Sequence, residues 1–141
     1  MELRLLQPGD FDLLMNLCDG IFDNPARADQ TRAFLDSPLH HMVMAFDAGL
    51  PVAFASGTVI LHPDKAPSLF INEVGTHHDH RRRGHGRAVT QALIDHARGW
   101  GARVWLATEP DNTAALALYR AMGGQEMAIA GFGWDGAFGV D

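Results

Sequence analysis

Arg81-Arg82-Arg83-Gly84-His85-Gly86-Arg87-Ala88 is the stretch on which the reading of this chain turns. It lies between an apolar run, Leu69 to Thr76, and a helical stripe of Ala88, Val89, Ala92, Leu93, His96 and Ala97. Glycines let a backbone turn tightly and approach a ligand with no side chain in the way. A helix that opens here presents unpaired N–H groups and the positive end of its dipole, which suits a phosphate. Four of the eleven basic residues fall between Arg81 and Arg87, and arginines add charge-assisted hydrogen bonds to such an anion. The stretch therefore reads as a pyrophosphate cradle between a strand and a helix. It is not a Walker loop, because Arg87-Ala88 follows Gly86 where Lys and Ser or Thr are required. It is not a complete dinucleotide fingerprint either, since Val89 stands in place of the third glycine. The competing reading is a basic turn capped onto a helix, with no ligand.

Working outward, the chain alternates strand and helix signals. Leu3 to Leu6 reads as a strand, and Pro8-Gly9-Asp10 as a turn that caps a helix carrying Leu13, Leu14, Leu17 and Ile21. Asn24-Pro25 starts a second helix, which stops near Ser37-Pro38 because a residue before proline avoids the helical region. Met42 to Phe46 and Val52 to Leu61 read as a hairpin, followed by a loop to Pro67 and the strand to Thr76. The helix from Arg87 ends at Gly99 and Gly101, Val104 to Ala107 is a short strand, and Asp111 or Asn112 caps a helix closed by Gly123-Gly124. Glu126 to Ala130 and Phe132 to Phe138 read as a final hairpin. The order β-α-α-β-β-β-α-β-α-β-β predicts one α/β domain over residues 1–141, a mixed central sheet flanked by about four helices.

Composition narrows the classes. With 141 residues, 47% hydrophobic and 20% charged, the chain is ordinary globular material. No apolar run is long enough for a membrane span, and Glu2, Asp10, Asp12 and Asp19 argue against a signal peptide. A single cysteine, Cys18, permits no internal disulfide and reads as a packed thiol. A cytoplasmic location is the expectation. Residues 1–80 hold four basic and eleven acidic side chains, a balance of −7, whereas residues 81–141 hold seven and six, a balance of +1. An acidic protein with one basic knot suits a locally held anion and a cationic partner. It does not suit nucleic acid, which needs a basic face. The alternative is that acidic surface simply confers solubility.

The cradle also resembles a known family. Arg81-x-x-Gly84-x-Gly86 matches the acetyl-CoA-binding motif [RQ]-x-x-G-x-[GA] of the GNAT superfamily of N-acetyltransferases. Glu73-Val74-Gly75-Thr76 resembles that family's acetyl-CoA-contacting strand. Thr108-Glu109-Pro110-Asp111-Asn112 through Ala115, Leu118-Tyr119 and Gly123-Gly124 resembles its later strand-loop-helix segment. Shorter fragments around Phe22-Asp23, Asn72-Glu73-Val74 and Ala117-Leu118-Tyr119 are similar to the aminoglycoside 3-N-acetyltransferases, enzymes of antibiotic resistance.

The resemblance implies acetyl-CoA as co-substrate, no metal, and binding by Val74, Gly75, Thr76, Arg81, Arg82, Arg83, Gly84, His85, Gly86, Arg87, Ala88, Asn112 and Ala115. It implies acetyl transfer to a primary amine of a cationic small molecule. Glu73 would be the base, with a pKa raised by its apolar strand unless a cation pairs it. Val74 or Gly75 N–H would hold the oxyanion, and Tyr119 would protonate the leaving thiolate. Asp23 and Asp29, with Glu73, would bind the acceptor ammonium groups.

Each residue also has a plainer reading. Glu73 could be an arginine's salt-bridge partner, Tyr119 a core aromatic, Asn112 a helix cap, and the aspartates a solvated face. His77, His78 and His80 read as an exposed turn, and Trp100, Trp105 and Trp134 as core or hairpin packing. Two further functions remain open: acetylation of a protein N-terminus or lysine, and a non-catalytic acetyl-CoA-binding module. The apolar segment Ile129 to Val140 suggests a possible homodimer contact.

Overall fold

Apolar runs at the centre of the chain build the sheet on which everything else is placed. A computed structural model describes residues 1–139. It holds two compact units, Met1–Ala107 and Thr108 onward. In the first unit, strands β1 (Glu2–Leu5), β2 (His40–Asp47), β3 (Leu50–Ile60), β4 (Ser68–Thr76) and β5 (Arg103–Trp105) form one sheet in the order β1-β2-β3-β4-β5. The first three pairings are antiparallel and β4–β5 is parallel. The helices are α1 (Phe11–Met15), α2 (Ala28–Asp36), α3 (His85–Arg98) and, in the second unit, α4 (Thr113–Ala121). Short 3-10 turns at Pro8–Asp10 and His78–His80 complete the set. The expected α/β class with a mixed sheet and about four helices is what the chain forms.

The pleat divides the core in two. Val43 and Ala45 of β2, with Val52, Ala53 and Ala55 of β3, pack beneath α3, whose Val89, Leu93 and Ala97 are fully buried at four-residue spacing. On the opposite face Met42, Met44, Phe46 and Phe54 pack with Leu14, Ile21 and Leu35 from the α1–α2 side. Each large apolar side chain buried this way is worth roughly 1.5–3 kcal/mol. The sheet is thus held rigid from both faces, and β4 with it.

Several boundaries differ from expectation, each for a local reason. α1 stops at Met15 rather than reaching Ile21, because the Asn16 side chain takes the Asp12 carbonyl at 2.7 Å and Gly20 turns left-handed at φ +93°. Residues 23–27 do not continue a helix from Asn24-Pro25; α2 begins only at Ala28, after an extended Arg27. α3 begins at His85, two residues before Arg87. The final hairpin does not form. Among the described residues no strand follows α4, and Asp135, Gly136 and Gly139 are left-handed. Met127, Ile129, Phe132, Trp134 and Phe138 are all exposed there, so no burial offsets the cost of ordering two strands. Val140 lies outside the described residues. Trp100 and Trp105 are also more than one-third exposed rather than core, lying against His41 and Phe70 respectively, and Cys18 is exposed. No described helix is long and apolar enough to cross a membrane.

Candidate active site

β4 is the element that sets the chemistry, because its alternation breaks. Leu69 and Ile71 are buried under α3, and a strict two-residue period would place residue 73 with them. Instead Val74 joins that face, and both Asn72 and Glu73 are exposed to the opposite side. The cause is a β-bulge: Gly57 of β3 pairs Ile71 and Ser56 pairs Glu73, leaving Asn72 as the extra residue. The Asn72 side chain is anchored to the Thr58 hydroxyl, with its amide nitrogen donating at 2.8 Å. A bulge re-aims the side chains beyond it, and here it turns Glu73 out of the core.

Glu73 therefore faces a cleft of about 350 Å³ within the first unit. Its apolar wall includes Phe22, Phe34, Met42 and Phe54, and its polar groups include Asp23, Ser56, Asn72 and Glu73. No basic residue lines it. Glu73 makes no ion pair among the described residues; partial burial and then the neighbouring Asp23 carboxylate hold its pKa above the usual value. Asp29 is not brought to this cleft. It pairs with Arg27 at 3.1 Å, and that guanidinium holds its carboxyl below the usual range.

On its other edge β4 is only half covered. β5 pairs Ser68, Leu69 and Phe70, so from Ile71 to Thr76 that edge has no strand neighbour among the described residues. Val74, Gly75 and Thr76 lie in this open stretch and lead into the loop. Gly75 has no room for a side chain, since a Cβ would sit 2.7 Å from a ring carbon of Phe54.

The loop has the form expected of a cradle. Gly84 is left-handed at φ +81° and caps α3, and Ala88 N–H donates to its carbonyl at 3.0 Å. A Cβ on Gly86 would stand 3.3 Å from the Thr76 hydroxyl, so the glycine brings helix and strand end together. The Arg81 Nε donates to the Thr76 carbonyl at 3.5 Å, and Arg81, Arg82, Arg83 and Arg87 are all exposed. Arg82 holds a left-handed φ of +64°, an uncommon conformation for a non-glycine residue. His85 departs from expectation: its side chain is buried and is not available to a ligand on the exposed face of the loop.

The sequence pattern seen here is that of a catalogued family, matched over residues 11–123 and described as Acetyltransferase (GNAT) family. The chain belongs to the GNAT family. A curated relative from Mycobacterium tuberculosis, N-alpha-acetyltransferase RimI, is 36% identical over 95 residues, 67% of this chain and 58% of that one. The [ribosomal protein bS18]-alanine N-acetyltransferase of Escherichia coli K12 is 39% identical over 82 residues, 57% of this chain and 52% of its own length. The matched stretch spans little more than half of these curated relatives. An aminoglycoside acetyltransferase from an uncultured soil metagenomic sample, solved with sisomicin, superposes with a TM-score of 0.83 over 95% of both chains at 16% identity. At that identity the likeness concerns the GNAT fold alone.

In the second unit, Asn112 caps α4, its side-chain oxygen accepting from Ala115 N–H at 3.1 Å, so the plainer reading of Asn112 is satisfied. Ala115 and Tyr119 are half-buried, and burial pushes the Tyr119 phenol above its ordinary pKa. The sequence missed two things. One is the bulge, whose signal was two consecutive polar residues, Asn72 and Glu73, in an apolar strand. The other is Asp47, which gathers with His80 and His85, whereas the sequence reads His80 only as part of an exposed turn.

Proposed function

We propose that this chain is a single-domain N-acetyltransferase that moves the acetyl group of acetyl-CoA to a primary amine. The family match from residue 11 to 123 runs through both compact units, which supports one domain. The observation that carries the reading of the acceptor is the cleft beneath the bulge, where Glu73 and Asp23 stand with no basic residue. Two carboxylates on one cleft wall favour a cationic amine and repel an anion. The first choice of acceptor is an aminoglycoside acetylated at its 3-N position. A peptide N-terminus is the second reading, favoured by the names of the two curated relatives.

The residues fit the co-substrate. The left-handed Gly84, the close approach of Gly86 to Thr76 and the free N–H groups at the start of α3 leave backbone open to a phosphate with no side chain in the way. Arg81, Arg82, Arg83 and Arg87 supply charge, and the open edge of β4 at Val74, Gly75 and Thr76 offers backbone groups to an extended chain. Acetyl-CoA supplies an activated acyl carbon and a thiolate leaving group. Glu73 takes a proton from the acceptor ammonium, directly or through one water, so that the nitrogen lone pair is free. The raised Glu73 pKa makes it a stronger base than an ordinary carboxylate. Val74 or Gly75 N–H stabilises the oxyanion. Tyr119 takes its role from the resemblance alone, which makes this phenol the proton donor to the thiolate.

A thiol-release assay with acetyl-CoA across gentamicin, kanamycin and an alanine-terminated peptide tests the acceptor. Release with the aminoglycosides supports the first choice. Efficient release with the peptide alone replaces it with the second, and no release with any amine leaves a binding module. Tyr119→Phe is expected to lower kcat by about 100-fold, within the usual range for a positioned acid, while acetyl-CoA affinity stays within about twofold of the parent. Unchanged kcat would make Tyr119 a packing residue.

Asp23→Asn should raise KM for the amine about fivefold, the upper end of what an exposed ion pair of up to ~1 kcal/mol contributes. Salt should raise the parent's KM in the same direction. Asp29→Asn, whose carboxylate is held by Arg27 away from the cleft, should leave KM unchanged. A salt-independent KM that ignores Asp23→Asn would remove electrostatic capture.

A further inference from the structure

His80 and His85 stand on either side of the arginine-glycine loop. His80 is the last residue of the turn His78–His80, and His85 is the first residue of α3. Nδ1 of His80 and Nε2 of His85 are buried and have no hydrogen-bond partner. They are the only such side-chain atoms among the described residues. A buried polar atom left unsatisfied costs about 1–3 kcal/mol, so a pair of them side by side calls for an occupant. His85 is only 6% exposed, and its Nδ1 lies 3.0 Å from the Met1 sulfur. With Nδ1–H directed to that sulfur, Nε2 carries the lone pair.

Asp47 completes the group. One ligand atom from each of Asp47, His80 and His85 lies within 4.8 Å of the other two. The Asp47 Oδ2 is 3.9 Å from the His80 Nδ1, too far for a hydrogen bond. That spacing is close to what one ion would require: ligand atoms bound to tetrahedral zinc at about 2.0–2.2 Å stand roughly 3.4 Å apart. A small inward movement of the side chains would suffice.

We propose that Asp47, His80 and His85 bind one divalent transition-metal ion, zinc by preference. Two imidazoles and one carboxylate suit zinc, whereas calcium and magnesium want oxygen donors. The ion would tie the end of β2 to both flanks of the loop from Arg81 to Gly84, clamping the segment that presents the arginines. The Arg83 Nη1 stands 3.9 Å from the same Asp47 oxygen. A cation on Asp47 would repel that guanidinium and release it toward the exposed face of the loop. A second group, His77, His78 and Asp79, has similar spacing but is less suitable. His77 Nδ1 already accepts from Asp79 N–H at 3.1 Å, and His78 and Asp79 are exposed.

Titration calorimetry with zinc chloride on the metal-free full chain tests the site without reference to acetyl transfer. One ion per chain with sub-micromolar affinity is expected. Asp47→Asn and His80→Ala should each weaken binding by about 100-fold, at least the loss seen when a metal site's supporting shell is broken. The double variant His77→Ala/His78→Ala should bind as the parent does. Both single variants alter partly exposed side chains, and circular dichroism checks that each is folded; His85→Ala is avoided because it opens the core. No binding by the parent, unchanged affinity in either Asp47→Asn or His80→Ala, or loss of binding in the His77/His78 variant would each overturn the proposal.

Discussion

Gly86→Asp is expected to abolish acetyl-CoA binding in a chain that still folds. Three costs act at one position. The new Cβ would stand 3.3 Å from the Thr76 hydroxyl, prising the start of α3 from the end of β4. The side chain would occupy the space a pyrophosphate needs. Its carboxylate would sit beside the N-terminal N–H groups and compete with the phosphate for them, the same attraction that makes acidic residues welcome at helix starts. That last effect stabilises the helix, which is why folding should survive while binding fails. Gly84→Asp should behave similarly with an added strain: its Cβ meets open space, but φ is +81°, where a non-glycine residue costs roughly 1–2 kcal/mol. Calorimetry should show affinity reduced by at least ~100-fold for each, the size of losing charge-assisted contacts worth about 1.5–3 kcal/mol apiece. Unchanged affinity in both folded variants would remove the loop from the cofactor site.

The second large effect is expected at Glu73. Glu73→Gln keeps the shape of the side chain and removes its basicity, so kcat should fall by about 10²–10⁴-fold, the usual contribution of a positioned base, with KM for acetyl-CoA little changed. The parent's kcat/KM should show an acidic limb set by the raised Glu73 pKa, and the variant should lose that limb. Asp23→Asn should move the limb to lower pH, because the Asp23 charge is one cause of the shift. Stability should run the other way. A carboxyl whose pKa is higher folded than unfolded binds more protons in the native state, so its contribution falls as pH rises from about 4.5 through the raised value. At neutral pH the ionised Glu73 is a cost, and Glu73→Gln should melt no lower than the parent. A variant that kept full kcat would leave Glu73 a bystander.

The cradle was legible because its chemistry is local: two glycines, four arginines and a following helical stripe lie within a few turns of chain. The sheet was legible because β2, β3 and β4 carry strong apolar patterns. What sequence could not supply depends on partners far along the chain. The bulge at Asn72 follows from the register against Ser56 and Gly57. In sequence Asp29 is equivalent to Asp23, whereas in the fold Arg27 holds it. Asp47 meets His80 and His85 only because the β2–β3 hairpin ends there. The tail after α4 failed for the opposite reason. Its apolar residues carry a strand-like pattern, but glycines and exposed flanks leave nothing for the pattern to pack against.

The extra residue in β4 has a bearing on how this strand can change. Before Asn72 the odd positions serve the interior, and after it the even ones do, so the strand is written in two phases with the switch at one residue. Exchange of one side chain for another is compatible with either phase. So is a change of length: with one residue fewer or one more between Ile71 and Val74, a uniform alternation would still leave Glu73 on the cleft side and Val74 under α3. A slip of register is not. Were β4 to pair with β3 at its present length without the extra residue, the Glu73 carboxylate would be carried toward the apolar layer under α3 and Val74 out of it. The strand that bears the chemistry is thus tolerant of a single-residue gain or loss at the bulge but intolerant of slippage, and the Asn72 tether to Thr58 guards against the latter.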